Sequence, residues 1–309
     1  MKIVIAGGTG FLGRPLAERL VSDGHDVVIL TRTAARPDVR PRAVVWSPGE
    51  NVDATGSWPR EIDGADAVIN LAGESIAGKR WSPSHKKQIL DSRIDATRSL
   101  AAAIAAASRP PSVFASGSAV GYYGPLGDEL AVETTPAGSD FLAQVCQQWE
   151  AEANRAATAR TRVVCIRTGL ALERDGGALP QMLPPFKFGA GGPVGSGRQY
   201  WPWIHRTDWI ELVRWAIRTD AAAGPLNATA PNPVRNAEFA RALGRALHRP
   251  SFMPAPAFAL RLMLGEMADA LLLSGQRAVP ATAETLGFSF KYARLDEALA
   301  AIFGSRTKA

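Results

Sequence analysis

Cysteine is scarce in this chain: only Cys146 and Cys165 occur among 309 residues. Two cysteines cannot form a disulfide framework, and their spacing matches no metal-ligand motif. The sequence therefore argues against a small disulfide-stabilised secreted domain, and we predict no metal site. Cys165 lies in the apolar run Val163–Ile166 and is expected to be a small buried hydrophobic residue.

Long apolar runs are also absent. No segment approaches the roughly 20 apolar residues that a membrane-spanning helix needs. The first predicted strand begins at Lys2, which leaves no room for a secretory signal. We therefore expect a cytoplasmic protein with no membrane partner.

No cluster of basic residues stands out, although the formal net charge is +6. Nucleic-acid-binding surfaces usually gather their lysines and arginines, whereas here they are scattered along the chain. We expect no nucleic-acid partner. An anionic cofactor or a phosphorylated substrate accounts for the basic excess equally well.

The most informative segment is a glycine-rich turn that follows an apolar run, Ile3–Ala6, and precedes a helical pattern. Glycines at its first, middle and last positions would permit a tight turn, the approach of a pyrophosphate and close helix–sheet packing. A second apolar run, Val27–Leu30, completes a βαβ unit. An ordinary surface turn is the competing interpretation. The predicted cofactor-binding residues here are Gly7, Thr9, Gly10, Phe11, Leu12 and Gly13.

The end of the second strand selects between nicotinamide cofactors. An acidic residue there would bind the ribose hydroxyls of NAD, but this chain has Thr31 and Arg32, with Arg36 nearby. A guanidinium suits the 2′-phosphate of NADP(H), which an acid would repel. A solvated surface arginine remains the alternative.

Further apolar runs alternate with helical patterns, of which Ser82–Ala107 and Phe141–Ala159 are the longest. This order predicts an α/β fold: a doubly wound parallel-sheet (Rossmann) NAD(P)-binding domain with a smaller C-terminal α/β substrate lobe. We assign residues 1–168 plus about 203–229 to the first domain, and about 169–202 plus 230–309 to the second. The tail Ser305–Ala309 is expected to fray.

Small polar loops follow three of the predicted strands, at Asn70–Glu74, Ser116–Gly124 and Arg167–Leu170. Ligands bind beyond the carboxyl ends of such strands. Several motifs in and around these loops resemble the extended short-chain dehydrogenase/reductases, and within them an atypical epimerase-like branch with its own C-terminal domain. The distinctive motifs are Asn70–Glu74, Arg80-Trp81, Ser92–Ile94, Trp149-Glu150, Gly195–Gln199, Trp203–His205, Ala230–Val234, Arg249-Pro250, Gly265–Met267 and Gly287-Phe288.

The resemblance implies a nicotinamide cofactor and a serine, Ser118, that orients a substrate carbonyl or hydroxyl. The wider family's Tyr-x-x-x-Lys pair falls on Leu142 and Cys146, which cannot perform that proton transfer. The candidate catalytic residues are therefore Ser118, Tyr122 and Cys146, with Tyr123 and His205 as alternative proton donors. Each tyrosine could instead be a packing residue, and Cys146 an unreactive one. The resemblance adds Leu71, Ala72, Gly73, Glu74, Arg93, Arg167, Gly169 and Leu170 to the predicted cofactor-binding residues.

A substrate pocket is predicted where Arg80, Trp81, Arg198 and His205 could converge on a small ligand that could be anionic. A solvated charged face and ordinary core tryptophans are the competing interpretation. Two functions remain open: an NADP(H)-dependent oxidoreductase or epimerase-like enzyme, and a catalytically inactive NADP(H)-binding regulatory or sensor module. A monomer and a homodimer are both compatible with the sequence.

Overall fold

The computed structural model describes residues 1–32, 41–49 and 57–304. Its centre is a parallel sheet of seven strands: β1 (Lys2–Ala6), β2 (Asp26–Thr31), β3 (Arg42–Val45), β4 (Ala67–Asn70), β5 (Val113–Ala119), β7 (Arg162–Thr168) and β11 (Gly224–Ala228). Their order across the sheet is β11-β7-β5-β4-β1-β2-β3. This order confirms the predicted doubly wound fold.

Helices cover both faces of this sheet, which explains why its strands are apolar on both sides. In β1, Ile3 and Ile5 pack into one core, whereas Val4 and Ala6 pack into the other. The helices of this domain are α1 (Gly13–Ser22), α2 (Pro59–Ile62), α3 (Pro83–Ala106), α4 (Phe141–Asn154) and α6 (Arg206–Arg218).

The two long helices begin at side-chain caps. Ser82 accepts a hydrogen bond of 3.2 Å from the backbone of His85 at the start of α3, and Asp140 accepts one of 2.8 Å from Ala143 at the start of α4. Such caps satisfy backbone donors that the first helical turn leaves without partners. The helix α4 ends at Asn154, five residues before the predicted end at Ala159.

A smaller lobe has its own apolar core, built from residues of 172–203, 230–243 and 295–302. Its boundaries with the sheet domain stay a prediction. The remaining helices are α5 (Leu179–Lys187), α7 (Asn236–Leu247), α8 (Ala257–Leu264), α9 (Glu266–Ala268), α10 (Ala281–Thr285) and α11 (Leu295–Gly304), with a 3-10 turn at Val120–Tyr123 and a π-helical turn at Asp269–Leu273. Short strands β6 (Leu130–Ala131), β8 (Leu170–Leu172), β9 (Tyr200–Trp201), β10 (Trp203–His205), β12 (Val234–Arg235) and β13 (Arg277–Ala278) form three two-stranded pairs. The predicted frayed tail, Ser305–Ala309, lies outside the described residues.

Candidate functional site

The glycine-rich turn joins β1 to α1, and each of its three predicted glycines meets different surroundings. Gly7 has a φ of +77°, and a Cβ there would lie 2.6 Å from the backbone of Leu71. A Cβ on Gly13 would lie 2.2 Å from the carbonyl oxygen of Gly7. At Gly10 the nearest atom would be that same oxygen at 3.4 Å, and the residue is exposed. Gly7 and Gly13 therefore serve the fold, whereas Gly10 leaves room on the outer side of the turn.

The N-terminus of α1 faces this space without a side-chain cap. Leu12 occupies the N-cap position, its side chain accepts no backbone hydrogen bond, and the first turn has no acidic residue. Arg14 N–H already donates to the Gly10 carbonyl at 3.0 Å and Pro15 has no N–H, so an anion would be attracted mainly by the positive end of the helix dipole. The turn thus fits a pyrophosphate. Thr9 is exposed beside it, and the half-buried Phe11 ring packs under Gly176 and Gly177.

At the end of β2, Thr31 is half-buried and Arg32 is exposed. Both follow the strand that runs beside β1, so they lie at the carboxyl edge of the sheet near the glycine turn. The guanidinium that the sequence associates with a 2′-phosphate is therefore placed at the same edge as the turn. Arg36 lies outside the described residues.

The loop after β4 forms the neighbouring wall. The Leu71 backbone N–H donates to Ala6 at 2.8 Å, and that of Glu74 donates to Ser92 at 2.9 Å. Asn70 supports this loop by accepting from Ala72 at 3.2 Å. The predicted residues Leu71–Glu74 are thus held directly beside the glycine turn.

Arg93 on α3 lies under this loop. Its guanidinium donates to the carbonyl oxygens of Glu74 and Ile89, at 3.0 and 2.9 Å, and a Cβ on Gly73 would lie 3.2 Å from it. It also stands 5.1 Å from the ring centroid of Trp149. Burial lowers the pKa of Arg93, although Cys146 and Glu74 act against that shift. The side chain is a fixed cation behind the predicted cofactor loop.

Ser118 lies near the end of β5 in a buried polar network. Its hydroxyl donates to Glu150 at 2.6 Å, and Arg167 donates twice to the same carboxylate at 2.8 Å. All three residues are buried. Because the serine proton points to Glu150, the lone pairs of Ser118 Oγ remain available to accept a hydrogen bond.

The Arg167 guanidinium is occupied by protein partners, and its predicted role in cofactor binding stays a prediction. Beyond Glu150, its guanidinium donates to the Tyr123 hydroxyl at 3.0 Å and to the carbonyl of Glu133 at 3.1 Å, and it covers the Tyr122 ring at 3.5 Å. Burial alone would lower the pKa of Arg167, but the hydrogen bonds and charge of Glu150 outweigh it and raise the pKa. Arg167 therefore acts as the internal partner of Glu150.

The two tyrosines of the loop after β5 differ in their surroundings. Tyr123 is buried, donates to Asn227 at 2.6 Å, and has a pKa that burial raises to about 12. It therefore keeps its proton and holds the network together. Tyr122 is half-buried, so its place among the catalytic residues stays a prediction.

Cys146 on α4 is buried beside Ser118, Ala119 and Arg93. Burial, with the nearby Glu150 carboxylate, raises the pKa of the Cys146 thiol to about 11. A raised pKa keeps the thiolate scarce near neutral pH, which disfavours Cys146 as a nucleophile, and its place among the catalytic residues stays a prediction. Leu142, one turn earlier, packs on Gly121.

The two loop residues after β7 also have structural surroundings. A Cβ on Gly169 would lie 2.6 Å from the carbonyl oxygen of Pro202, and Leu170 N–H donates to that oxygen at 2.7 Å. Gly169 N–H donates to Ala228 at 3.1 Å. The glycine is needed here for the close approach of two backbone segments, and cofactor binding at this loop stays a prediction.

The segment Arg80-Trp81 contacts the C-terminal part of the chain. Trp81 donates to Ile76 at 2.8 Å and packs edge-on against Phe141 at 5.2 Å. The exposed Arg80 lies beside Gly265, where a Cβ would be 3.2 Å from the guanidinium. These contacts join the loop before α3 to the start of α9, and they leave Arg80 open to a ligand.

Arg198 and His205 have different environments. Arg198 is exposed, and its carbonyl accepts from Arg235 at 2.7 Å. His205 is buried, and its Nδ1 caps α6 by accepting from Thr207 at 3.0 Å, while its ring stacks on Tyr292 at 4.1 Å. Burial lowers the pKa of His205. The side chain thus has a structural role in this fold, and the assignment of His205 as a substrate ligand stays a prediction.

Sequence reasoning missed the acidic members of the buried network, Glu150 and Glu133. Glu133 accepts from the backbone of Asn227 at 3.0 Å and from that of Thr282 at 3.2 Å, so it connects three distant segments. The Trp149-Glu150 motif was a usable signal for Glu150, whereas Glu133 follows no local pattern. Within the described ranges, no group of histidine, cysteine and acidic side chains could hold a metal ion, and no helix is long and apolar enough to cross a membrane.

Comparisons with known proteins agree with this geometry. The model of the NAD dependent epimerase/dehydratase family matches residues 3–228, and that of a domain of unknown function (DUF1731) matches residues 255–302. The "Epimerase family protein SDR39U1 homolog, chloroplastic" of Arabidopsis thaliana is 42% identical over 304 residues, covering 98% of this chain and 86% of that protein.

Two solved structures also resemble the chain. The human epimerase family protein SDR39U1 (isoform2) with NADPH has a TM-score of 0.88 and 34% identity, covering 99% of this chain and 100% of that chain. A nucleoside-diphosphate sugar epimerase from Corynebacterium glutamicum has a TM-score of 0.79 and 33% identity, covering 98% of this chain and 58% of that chain. The sheet order, the glycine turn and these similarities together show that the chain belongs to the NAD dependent epimerase/dehydratase family.

Proposed function

We propose that the protein is an NADP(H)-dependent oxidoreductase or epimerase-like enzyme that acts on a small polar substrate. The observation that carries the proposal is the exposed turn at Gly10, where a Cβ would meet only the Gly7 carbonyl oxygen, at 3.4 Å, in front of the start of α1. Arg32 at the end of β2 supplies the positive charge that favours a 2′-phosphate. The human relative crystallised with NADPH supports the same choice of cofactor.

When bound, the cofactor would supply or accept a hydride at its nicotinamide ring. The chain's own residues would do the rest. The glycine turn would bind the pyrophosphate, and Arg32 would bind the 2′-phosphate. Ser118 would orient the substrate by accepting a hydrogen bond from its hydroxyl group, since the serine's own proton is donated to Glu150 at 2.6 Å.

The buried carboxylate of Glu150 is a poor acceptor for the substrate proton, because Arg167 holds it through two hydrogen bonds of 2.8 Å and protonation would leave that guanidinium unpaired. Ser118 would therefore position the substrate hydroxyl without taking up its proton. Tyr122 is the candidate for moving this proton in place of the family's Tyr-x-x-x-Lys pair.

Substrate recognition would use two exposed cations, Arg80 and Arg198. Their charge favours an anionic substrate group. We expect Arg198→Ala to weaken binding of substrate or of an inhibitor while the affinity for NADPH stays unchanged.

Both cysteines are free, which fits the reducing cytoplasm.

Paired titration of the purified protein with NADPH and NADH tests the cofactor, with quenching of tryptophan emission as the signal. We expect NADPH to bind more tightly, and Arg32→Ala to remove most of the difference by weakening NADPH alone. Arg60→Ala, which changes an exposed arginine on α2, is the control. Failure of both cofactors to bind would contradict the proposal.

A second candidate function is a regulatory module that binds NADP(H) without turnover. Leu142 and the buried Cys146 favour it, because neither replaces the missing proton-transfer pair. A panel of carbonyl and hydroxyl substrates separates the two. Net NADPH oxidation or NADP reduction, or conversion of any member to its epimer, supports the enzyme, whereas cofactor-dependent association with another protein, without turnover, supports the module.

A further inference from the structure

One surface of the smaller lobe combines positive charge with exposed apolar side chains. From Arg241 to Leu264 the sequence contains four arginines and one histidine and no aspartate or glutamate. This stretch includes the end of α7, the loop that follows it and the whole of α8. Arg245 and Arg261 pair with acids from outside the stretch, Asp296 at 2.6 Å and Asp269 at 2.8 Å, so its attraction for anionic partners rests on Arg241 and Arg249.

The basic part surrounds an open cavity of about 530 Å³ at the end of α7. Gly244 and Ser251 both line this cavity, and a Cβ on Gly244 would lie 2.6 Å from the Ser251 side chain. Arg245 pairs with Asp296 at 2.6 Å, but in the described part of the chain Arg241 and Arg249 form no ion pair. The cavity is lined by Arg241, Gly244, Arg245, His248, Arg249, Pro250 and Ser251.

The apolar part continues directly from this cavity. Phe252 and Met253 come next in the chain, and Met253 N–H donates to Gly191 at 3.1 Å, which places the loop after α5 alongside. The helix α8 has no buried residue. Exposed fractions reach 87% for Phe188, 75% for Phe252 and Phe258, and 77% for Leu262. We define the basic-apolar face as Arg241, Arg245, His248 and Arg249 together with Phe188, Phe252, Met253, Phe258, Leu262 and Met263.

The charge of this face decides what could cover it. A second copy of the chain would bring Arg241 and Arg249 of each copy towards those of the other, which like-charge repulsion disfavours. A surface that binds a folded protein normally has pockets that receive the partner's anchoring side chains. On this face the apolar side chains project outward instead. Projecting phenylalanine, leucine and methionine beside arginines suit the boundary between acyl chains and anionic headgroups.

We propose that the basic-apolar face binds the surface of membranes that contain anionic phospholipids. The cavity beside α7 takes the phosphate-bearing headgroup, and the projecting side chains of the loop and of α8 enter the outer acyl region. No membrane-spanning helix is required, and the proposal does not depend on the cofactor or on catalysis. It differs from the expectation, drawn from the lack of long apolar runs, that the chain has no membrane partner, and the vesicle experiment decides between them.

Co-sedimentation of the full-length protein with vesicles tests the proposal. One set contains phosphatidylcholine alone, and the other contains phosphatidylcholine mixed with phosphatidylserine. We expect binding to the anionic set only, reduced by added salt. Arg241→Ser with Arg249→Ser should weaken binding roughly thirtyfold, because each basic residue near an anionic surface contributes a factor of about five. Phe252→Ser with Phe258→Ser should weaken it by roughly tenfold or more.

The matched control is Arg60→Ser with Arg160→Ser, which removes two charges from exposed positions on α2 and before β7. This variant should bind as the unmodified protein does, and thermal melts should show that all variants fold. Equal loss in the control, or no binding to anionic vesicles, would overturn the proposal. It would also be overturned if Phe258→Ser abolished self-association in sedimentation velocity, or if the face bound polyglutamate but no vesicle.

Discussion

The Ser118 hydroxyl donates a 2.6 Å hydrogen bond to Glu150, and the same carboxylate neutralises the buried Arg167. Replacing Glu150 with Gln keeps the shape of the side chain but removes its charge, which leaves an unpaired guanidinium inside the protein. We expect Glu150→Gln to lower the free energy of unfolding by about 3–5 kcal/mol. Urea unfolding followed by circular dichroism measures this.

The control for this change is Ser118→Ala, which removes one hydrogen bond to a charged group and should cost about 2 kcal/mol. The double replacement Glu150→Leu with Arg167→Met removes both charges and should regain much of the stability. A Gln variant no less stable than Ser118→Ala would show that charge pairing does not stabilise this site.

Two glycines of the turn, Gly13 and Gly10, allow effects on stability and on ligand binding to be tested separately. Gly13→Ala places a Cβ 2.2 Å from the carbonyl oxygen of Gly7, and backbone atoms cannot move away cheaply. We expect this variant to lose about 2 kcal/mol or more of stability. Gly10→Ala meets only that oxygen, at 3.4 Å, so its stability should change by less than about 0.5 kcal/mol.

The Gly10→Ala variant should lose NADPH affinity although its stability is unchanged. Gly10→Ala should melt like the unmodified protein yet bind NADPH at least about tenfold more weakly, because the new methyl group occupies the phosphate's approach. Differential scanning fluorimetry and a titration on the same samples give both quantities. An unchanged NADPH affinity in folded Gly10→Ala would move the pyrophosphate away from this turn.

The elements predictable from the sequence are those determined locally. The Ile3–Ala6 run and the glycines after it specify a buried strand and a turn without reference to distant residues. Arg167 could not be placed in this way. A cation after a strand is compatible with ligand binding, and only the packing of α4 against β7 brings Glu150 to it.

The role of His205 was also not predictable from the sequence, although its hydrogen-bond partner is close in the chain. The imidazole suggested a ligand, but its hydrogen bond to Thr207, two residues away, makes it a helix cap. Glu133 and Asn227 are further apart still, and they meet because the segment around β6 lies beside β11. Burial, which decides such roles, depends on the complete fold.

The environment of Cys146 predicts low reactivity. Burial raises the pKa of its thiol to about 11, and it raises the pKa of Cys165 as well. Iodoacetamide should therefore modify Cys146 in the folded protein at least about a hundredfold more slowly than in urea. Labelling followed by mass spectrometry gives both rates, with Cys146→Ala identifying the peptide signal. Fast labelling of the folded protein would instead support Cys146 as a catalytic group.

His205 should make stability depend on pH. Burial lowers the pKa of His205, so the folded chain binds its proton less readily than the unfolded chain, whose histidines titrate near pH 6.5. Its contribution to stability is complete above about pH 6.5 and is lost as the pH falls through the folded value. His205→Asn keeps a side-chain oxygen that can cap α6 but cannot titrate. Melting temperatures between about pH 7.5 and 5 should therefore fall less steeply for His205→Asn than for the unmodified protein. His248→Asn, which changes an exposed histidine, is the matched control, and equal slopes for His205→Asn and the unmodified protein would show that the buried ring does not titrate in this range.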